Sequence, residues 1–246
     1  MKAIGIDIGG TRIKAAVVDL ETGRTITKRQ RIDTPRPATP EAILSACEEV
    51  IRPFGDIDLV GVGFPGVIRD GKVFTAANLD SSWVEYSLEA QLEKKLGKRV
   101  KVLNDADAAG FSEIRVGAGV GVSGTVILLT VGTGLGSAVF TEGKLVRNTE
   151  FGRMKFGRNL EAEAYVSETA REEANLGPAE WAKRFEEVLQ EIESLYWPSM
   201  IIVGGGGAKK FDAIQPLIKI RATLCHATTK NKAGIIGAAL WAAEKI

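Results

Sequence analysis

A short apolar strand that runs into a glycine-threonine turn and then returns occurs twice in this chain, and no other feature restricts its fold as strongly. Ala3–Ile8 leads into Gly9-Gly10-Thr11 and Ile13–Val18 returns from it. Val126–Val131 leads into Gly132-Thr133-Gly134-Leu135-Gly136 and Ser137–Phe140 returns. Apolar runs of this length bounded by glycine read as buried strands. Two units of one kind predict two related α/β domains with a cleft between them. The first domain is expected over residues 1–104 and the second over 105–230, with a boundary near Asn104.

The remaining pattern alternates strand and helix, as an α/β architecture requires. Thr25–Ile32 reads as a third strand, and Pro35, Pro37 and Pro40 mark a loop. Pro40 then opens a helix with Ile43, Leu44, Cys47, Val50 and Ile51 on one side. Leu59–Phe64 reads as a buried strand, Leu88–Leu96 as a helix, and Val100–Leu103 as a strand. A small-residue helix follows over about Ala106–Val116. Pro178 starts a helix with Trp181, Phe185, Val188, Leu189, Ile192, Leu195 and Tyr196 at helical spacing. Met200–Val203 is a strand entering Gly204–Gly207, and Ala233–Ala243 is a last helix of small residues.

These elements place a limited set of polar residues at strand ends. In Asp7-Ile8-Gly9-Gly10-Thr11-Arg12-Ile13-Lys14 a carboxylate precedes two residues without Cβ, a hydroxyl and a lysine. Backbone N–H groups of such a turn can approach phosphate oxygens, with Thr11 and Lys14 adding a hydrogen bond and charge. The same residues also suit a plain hairpin in which glycine supplies positive φ. Asp7 has no evident partner in the sequence, and a metal-bound water is one reason for a carboxylate there. Thr130-Val131-Gly132-Thr133-Gly134 repeats this logic. Gly204, Gly205 and Gly206 would let a nucleotide or a polyphosphate chain lie on bare backbone, or simply turn the strand into a helix.

Asn104-Asp105-Ala106-Asp107 follows a strand and opens a helix, where ligands of α/β proteins gather. Asp105 is placed to accept a proton from a bound hydroxyl. Asn104 can meet a sugar hydroxyl or cap the helix, and Asp107 reads as a complement to the helix dipole. Asn148-Thr149-Glu150-Phe151-Gly152-Arg153 offers a polar loop with one carboxylate. His226, the sole histidine, reads as incidental.

Several classes drop out. Gly61-Val62-Gly63-Phe64-Pro65-Gly66 and Gly119-Val120-Gly121-Val122-Ser123-Gly124 both match G-x-G-x-x-G, yet extended rather than helical segments follow. No G-x-x-x-x-G-K-[ST] occurs, which removes the P-loop NTPases. The 32 basic and 31 acidic side chains balance, so neither a nucleic-acid nor a membrane surface is expected. Cys47 and Cys225 are too few for a disulfide framework or a cysteine-zinc site. No signal peptide or spanning segment is visible, and the chain reads as cytoplasmic.

Together these residues resemble the ROK family of sugar kinases and repressors, with most likeness to its polyphosphate-dependent glucokinase branch. The likeness extends through Gly63-Phe64-Pro65-Gly66, Ala77-Asn78-Leu79-Asp80, Val203-Gly204-Gly205-Gly206 and Asn231-Lys232-Ala233-Gly234. It implies an actin-like (ribonuclease H-like) ATPase fold, two α/β domains flanking a sugar cleft, commonly as a homodimer. The last helix, 231–246, would complete the first domain. It further implies that Asp105 is the base, that Asn78, Asn104 and Glu150 hold the sugar, and that Asp7 helps place Mg²⁺. Gly9–Thr11 and Gly132–Gly134 would face the phosphates of polyphosphate or ATP, with Gly204–Gly206 near the rest of the donor.

The expected activity is transfer of a phosphoryl group to a hexose primary hydroxyl, with glucose 6-phosphate as product. One departure bears on the sugar. The family's E-x-G-H reads Glu150-Phe151-Gly152-Arg153, and arginine is longer, always charged and only a donor. A different or acidic hexose, or a sugar-binding pseudokinase, is the alternative. A ROK repressor would need an N-terminal helix-turn-helix, and Asp7 stands only a few residues from the start.

Overall fold

The computed structural model describes residues 1–76, 79–156 and 159–244. The chain divides into two compact units, Met1–Val116 with Lys232–Ile246, and Gly117–Asn231.

In the first unit β1 (Lys2–Ile8) and β2 (Arg12–Asp19) form an antiparallel hairpin, and β3 (Gln30–Asp33) pairs with the outer side of β2. Helix α1 (Pro40–Ile51) follows, with Pro40 at its start and the Thr39 hydroxyl accepting from the Ala42 N–H. The strand β4 (Leu59–Phe64) returns parallel to β1. A small ribbon, β5 (Ile68–Arg69) and β6 (Lys72–Val73), precedes α2 (Leu88–Leu96), and β7 (Arg99–Asn104) adds parallel to β4. The sheet order is therefore β3-β2-β1-β4-β7. Every residue of β4 is buried, as a strand covered on both faces must be. Helix α3 (Asp105–Val116) follows β7 directly.

The second unit repeats this topology. β8 (Thr125–Val131), β9 (Leu135–Thr141) and β10 (Lys144–Val146) form an antiparallel meander. A short ribbon, β11 (Lys155–Phe156) with β12 (Leu160–Glu161), leads to α4 (Ala162–Val166), α5 (Glu168–Glu173) and the long α6 (Pro178–Tyr196). β13 (Met200–Gly204) then adds parallel to β8, a short α7 (Ala208–Phe211) follows, and β14 (Thr223–His226) adds parallel to β13. The order β10-β9-β8-β13-β14 matches the first sheet position for position. The core of this unit gathers Trp181, Phe185, Leu189 and Ile192 of α6 against Ile127, Leu129, Ile201 and Val203 of the sheet.

The chain then returns to the first unit as α8 (Ala233–Ala242). This helix has Ile235, Ile236, Ala238, Ala239, Trp241 and Ala242 all buried. Small residues make that approach possible: a Cβ on Gly5 would strike the Ile235 carbonyl, and one on Gly61 the Ala238 carbonyl. Gly237 likewise lies against the Ala108 carbonyl of α3. Because α3 packs on α8, it belongs with the first unit, twelve residues beyond the boundary read near Asn104.

Two local expectations differ from what forms. The third strand starts at Gln30 rather than Thr25, because the Thr27 hydroxyl takes the Val17 N–H that a continued ladder would use. Thr25 keeps only an isolated bridge to Val18. At the end of α6, Leu195 and Tyr196 are 62% and 42% exposed instead of buried. That last turn ends at Trp197, whose φ of 48° stops the helix in the left-handed region. Among the described residues no helix is long and apolar enough to cross a membrane.

Candidate active site

In the first unit the β1–β2 turn is fixed by the chain that follows β3. The Thr34 N–H donates to the Thr11 carbonyl at 3.0 Å, and its hydroxyl donates to the Gly9 carbonyl at 2.6 Å. The Arg36 guanidinium donates to the Gly10 carbonyl at 3.2 Å. With carbonyls held from behind, the turn leaves Gly10 and Thr11 exposed. Neither Gly9 nor Gly10 has positive φ, so the plain-hairpin explanation of the two glycines fails.

Asp7 and Lys14 face each other in the β1–β2 register, and Lys14 Nζ lies 3.0 Å from Asp7 Oδ2. The partner that Asp7 lacked in the sequence is thus Lys14, seven residues on. Gly234 of α8 sits beside them, and a Cβ there would come within 3.0 Å of the Asp7 Cγ and Oδ1.

Asn104 ends β7 and caps α3. Its Oδ1 accepts from the N–H groups of Ala106 at 2.8 Å and Asp107 at 3.0 Å, while Nδ2 donates to the Gly66 carbonyl at 3.2 Å. The amide is 8% exposed, so helix capping occupies its oxygen. Asp105 stands in the first turn, half-buried, with Oδ1 accepting from the Ala106 N–H at 2.8 Å. Asp107 is buried in that same turn. Asn78 lies outside the described residues.

In the second unit the β8–β9 turn and the loop after β13 are joined. The Gly207 N–H donates to the Val131 carbonyl at 2.9 Å, and the Glu168 N–H, which opens α5, donates to the Gly132 carbonyl at 2.9 Å. Gly205, at φ 89°, packs directly on the Val131 backbone. Gly132–Gly134 and Gly204–Gly206, some seventy residues apart by number, therefore form one surface, with Thr130 at the end of β8 and Thr133 exposed.

Ser137 of β9, buried, organises the next group. Its hydroxyl donates to the Thr149 carbonyl at 2.6 Å and accepts from the Phe151 N–H at 2.9 Å. This fixes Glu150 between them and leads into the 3₁₀ turn Phe151–Arg153. Glu150 is partly exposed, and local desolvation holds its carboxyl above the ordinary 4.5. The Arg153 charge pulls it back down and Glu163 pushes it up. Glu163 itself reaches the Gly134 turn, its Oε2 standing 3.5 Å from the Leu135 N–H. Neither Ser137 nor Glu163 was singled out from the sequence. A buried serine has no local signature, and Glu163 is one of many glutamates in a charged helical stretch.

One property links the three glycine motifs. Gly10, Gly132 and Gly206 lack positive φ, and a Cβ on any of them would meet no atom of the described residues within 4 Å. Gly55, Gly97 and Gly121 have equally open surroundings, but φ values of 69°, 62° and 74° account for them. Backbone left bare without conformational or packing need suits close approach of an external group to N–H donors.

The ROK family model matches residues 3–159. The chain belongs to the ROK family. Among ROK relatives, it is 44% identical over 237 residues to a polyphosphate glucokinase of Mycobacterium tuberculosis (strain CDC 1551 / Oshkosh), covering 96% of this chain and 89% of that one. It is similar in structure to the inorganic polyphosphate/ATP-glucomannokinase of Arthrobacter sp. strain KM, with a TM-score of 0.92, 43% identity and 98% of each chain covered. A ROK glucokinase of Streptomyces griseus, solved with glucose and AMPPNP, gives a TM-score of 0.82 at 30% identity, covering 97% of this chain and 98% of that one. These ROK sugar kinases have the actin-like ATPase fold, and so does this chain.

His226, read as incidental, pairs with Asp212 at 2.9 Å and packs on the Phe211 ring, a structural role.

Proposed function

We propose that this ROK protein is a hexose kinase that converts glucose to glucose 6-phosphate with polyphosphate or ATP as donor. The observation that carries this reading is the bare backbone of Gly10, Gly132 and Gly206, each in a motif set at a strand end. The named activities of the polyphosphate glucokinase and glucomannokinase relatives support the same reaction.

In the proposed step the sugar hydroxyl oxygen bonds to the terminal phosphorus while the bond from that phosphorus to its bridging oxygen breaks. The hydroxyl proton passes to Asp105, and the donor leaves one phosphate shorter. Positioning and charge stabilisation dominate such transfers. Gly9–Thr11 and Gly132–Gly134 would face the phosphates. The Gly9 and Gly132 N–H groups are taken by the Arg12 and Gly134 carbonyls, so the N–H groups of Gly10, Thr11, Thr133 and Gly134 would be the donors, with the Thr11, Thr130 and Thr133 side chains and Lys14 assisting. Gly204–Gly206 would lie along the rest of the donor. Glu150 would accept hydrogen bonds from the sugar, and Asn104 would orient Asp105 through the α3 cap.

The residues fit a magnesium ion held mostly by donor phosphates and water. Among the described residues no three His, Cys, Asp or Glu side chains gather as a cage, and this ion commonly takes one or two carboxylates beside phosphates. Asp7 would supply one, beside the Lys14 ammonium that it pairs with. When bound, the ion would neutralise charge on the transferring phosphoryl group.

Asp105→Asn tests the reading, since the amide oxygen can still accept from the Ala106 N–H while the base is gone. Turnover should fall by about 10²–10⁴, with glucose binding and melting temperature kept. Turnover within a few-fold of wild type would reject Asp105 as the base.

A second reading, a kinase for another hexose, draws on Arg153, whose charge acts on Glu150. Coupled assays over neutral and acidic hexoses separate the two, and sugar binding with no turnover for any donor would indicate a pseudokinase. Cytoplasmic location and a homodimer complete the proposal. The exposed Leu195, Tyr196 and Trp197 at the end of α6 support self-association, and solution mass by light scattering decides it.

A further inference from the structure

The overall charge balance conceals a local excess. Between Arg24 and Arg36 stand Arg24, Lys28, Arg29, Arg31 and Arg36 against Asp33 alone. Asp33 is already engaged with Arg12 at 3.5 Å. This segment contains β3, which stands at the edge of the sheet with no strand on its outer side among the described residues. Lys28, Arg29, Gln30 and Arg31 border an open surface depression of about 430 Å³.

The register fixes the face of Arg31, the one of these cations that lies within β3. Arg31 lies opposite Lys14, and residues opposite one another project from the same face. Two cations in that position destabilise an antiparallel pair, and Asp7 is shared with only one of them. Three residues beyond Arg31, Thr34 is bonded to both Gly9 and Thr11. At about 3.3 Å per residue, Arg31 is roughly 10 Å along the strand from that turn. From Arg31 the cations Lys14 and Arg12 continue along β2 toward the glycine-threonine turn, each paired with one carboxylate, Asp7 and Asp33.

We propose that Lys28, Arg29 and Arg31 form a secondary site for the trailing phosphates of a long polyphosphate chain whose reacting end occupies the Gly9–Thr11 turn. This rests on the donor reading above. A long polyanion can extend from the turn onto this basic edge, whereas a nucleoside triphosphate carries its charge on three phosphates only. The site adds no chemistry. It raises the local concentration of long donors and should make affinity depend on chain length and on salt.

The test compares the wild-type chain with K28Q/R31Q and with the charge-retaining R31K. Calorimetric titration without sugar measures binding of long-chain polyphosphate and of tripolyphosphate, and steady-state assays measure KM for both and for ATP. The double variant should bind the long chain about tenfold more weakly and show a correspondingly higher KM for it, with tripolyphosphate, ATP and kcat unchanged and R31K close to wild type. Equal losses for both chain lengths, or no loss for either, overturn the proposal. Where the double variant melts below wild type, Lys28→Gln alone serves, with a smaller loss confined to the long chain. If the wild-type chain transfers nothing from any polyphosphate, the donor reading falls by itself, and the binding comparison still decides the site.

Discussion

Glu150 is held by opposing influences: desolvation raises its pKa, Glu163 adds to the rise, and Arg153 offsets it. The folded protein therefore keeps this proton longer than the unfolded chain. Its contribution to stability is present below the ordinary 4.5 and is lost as pH rises through the higher folded value. Sugar binding by the ionised carboxylate moves the other way and strengthens over that rise. Arg153→Ala removes the cation, so the acidic limb of the kcat/KM profile for glucose should shift to higher pH. A shift to lower pH would count against Glu150 as the sugar acceptor. Gly10→Ala addresses the opposite class of residue. With open space and no positive φ, alanine should leave stability unchanged or raise it by about 0.4–1 kcal/mol. Turnover should nevertheless drop at least severalfold, seen by running thermal melts beside donor KM. Asp105 was legible as a residue because a strand end and helix start flank it. The pairing of Asp7 with Lys14 was not, because it depends on cross-strand register.

At the scale of elements, most boundaries followed from local signals. Pro40, Thr39 and the apolar spacing after them define α1, and Leu88–Leu96 forms as read. The exceptions arose where a side chain outside the strand competed for backbone, as Thr27 does at Val17. Helix α8 shows the converse. Its small, apolar composition declared close packing, but not against what. The partners are β1, β4 and α3, reached through Gly5, Gly61 and Gly237. Gly237→Ala forces a methyl into the Ala108 carbonyl and should cost about 1–3 kcal/mol or more. Urea unfolding measures this, and a cost under about 0.5 kcal/mol would mean that α3 and α8 can part freely.

At the scale of the whole molecule, the two sheets share one topology, which the repeated turn had already indicated. The first unit is discontinuous, closed by a helix from the far end of the chain. Deleting residues from Lys232 onward removes the buried Ile235, Ile236 and Trp241 and uncovers β1 and β4. Each such side chain is worth about 1.5–3 kcal/mol, against a typical total stability of about 5–15 kcal/mol. The truncated chain should lose cooperative unfolding of the first unit, read as a missing or broadened transition by circular dichroism. Retention of the full transition would show that α8 is dispensable.

The sequence alone determined the longer strands and helices, the two glycine-threonine turns and the position of Asp105, since periodicity and turn chemistry are local. The short elements β5, β6, β10–β12, α4, α5, α7 and β14 carried too little periodicity to be read. Tertiary structure decided which separated residues meet. It joined Val131 to Gly207, set Ser137 beneath Glu150, placed Gly234 beside Asp7, and aligned Arg31 with Lys14 on a charged edge. Those meetings depend on register and on chain return, which no stretch of sequence specifies by itself.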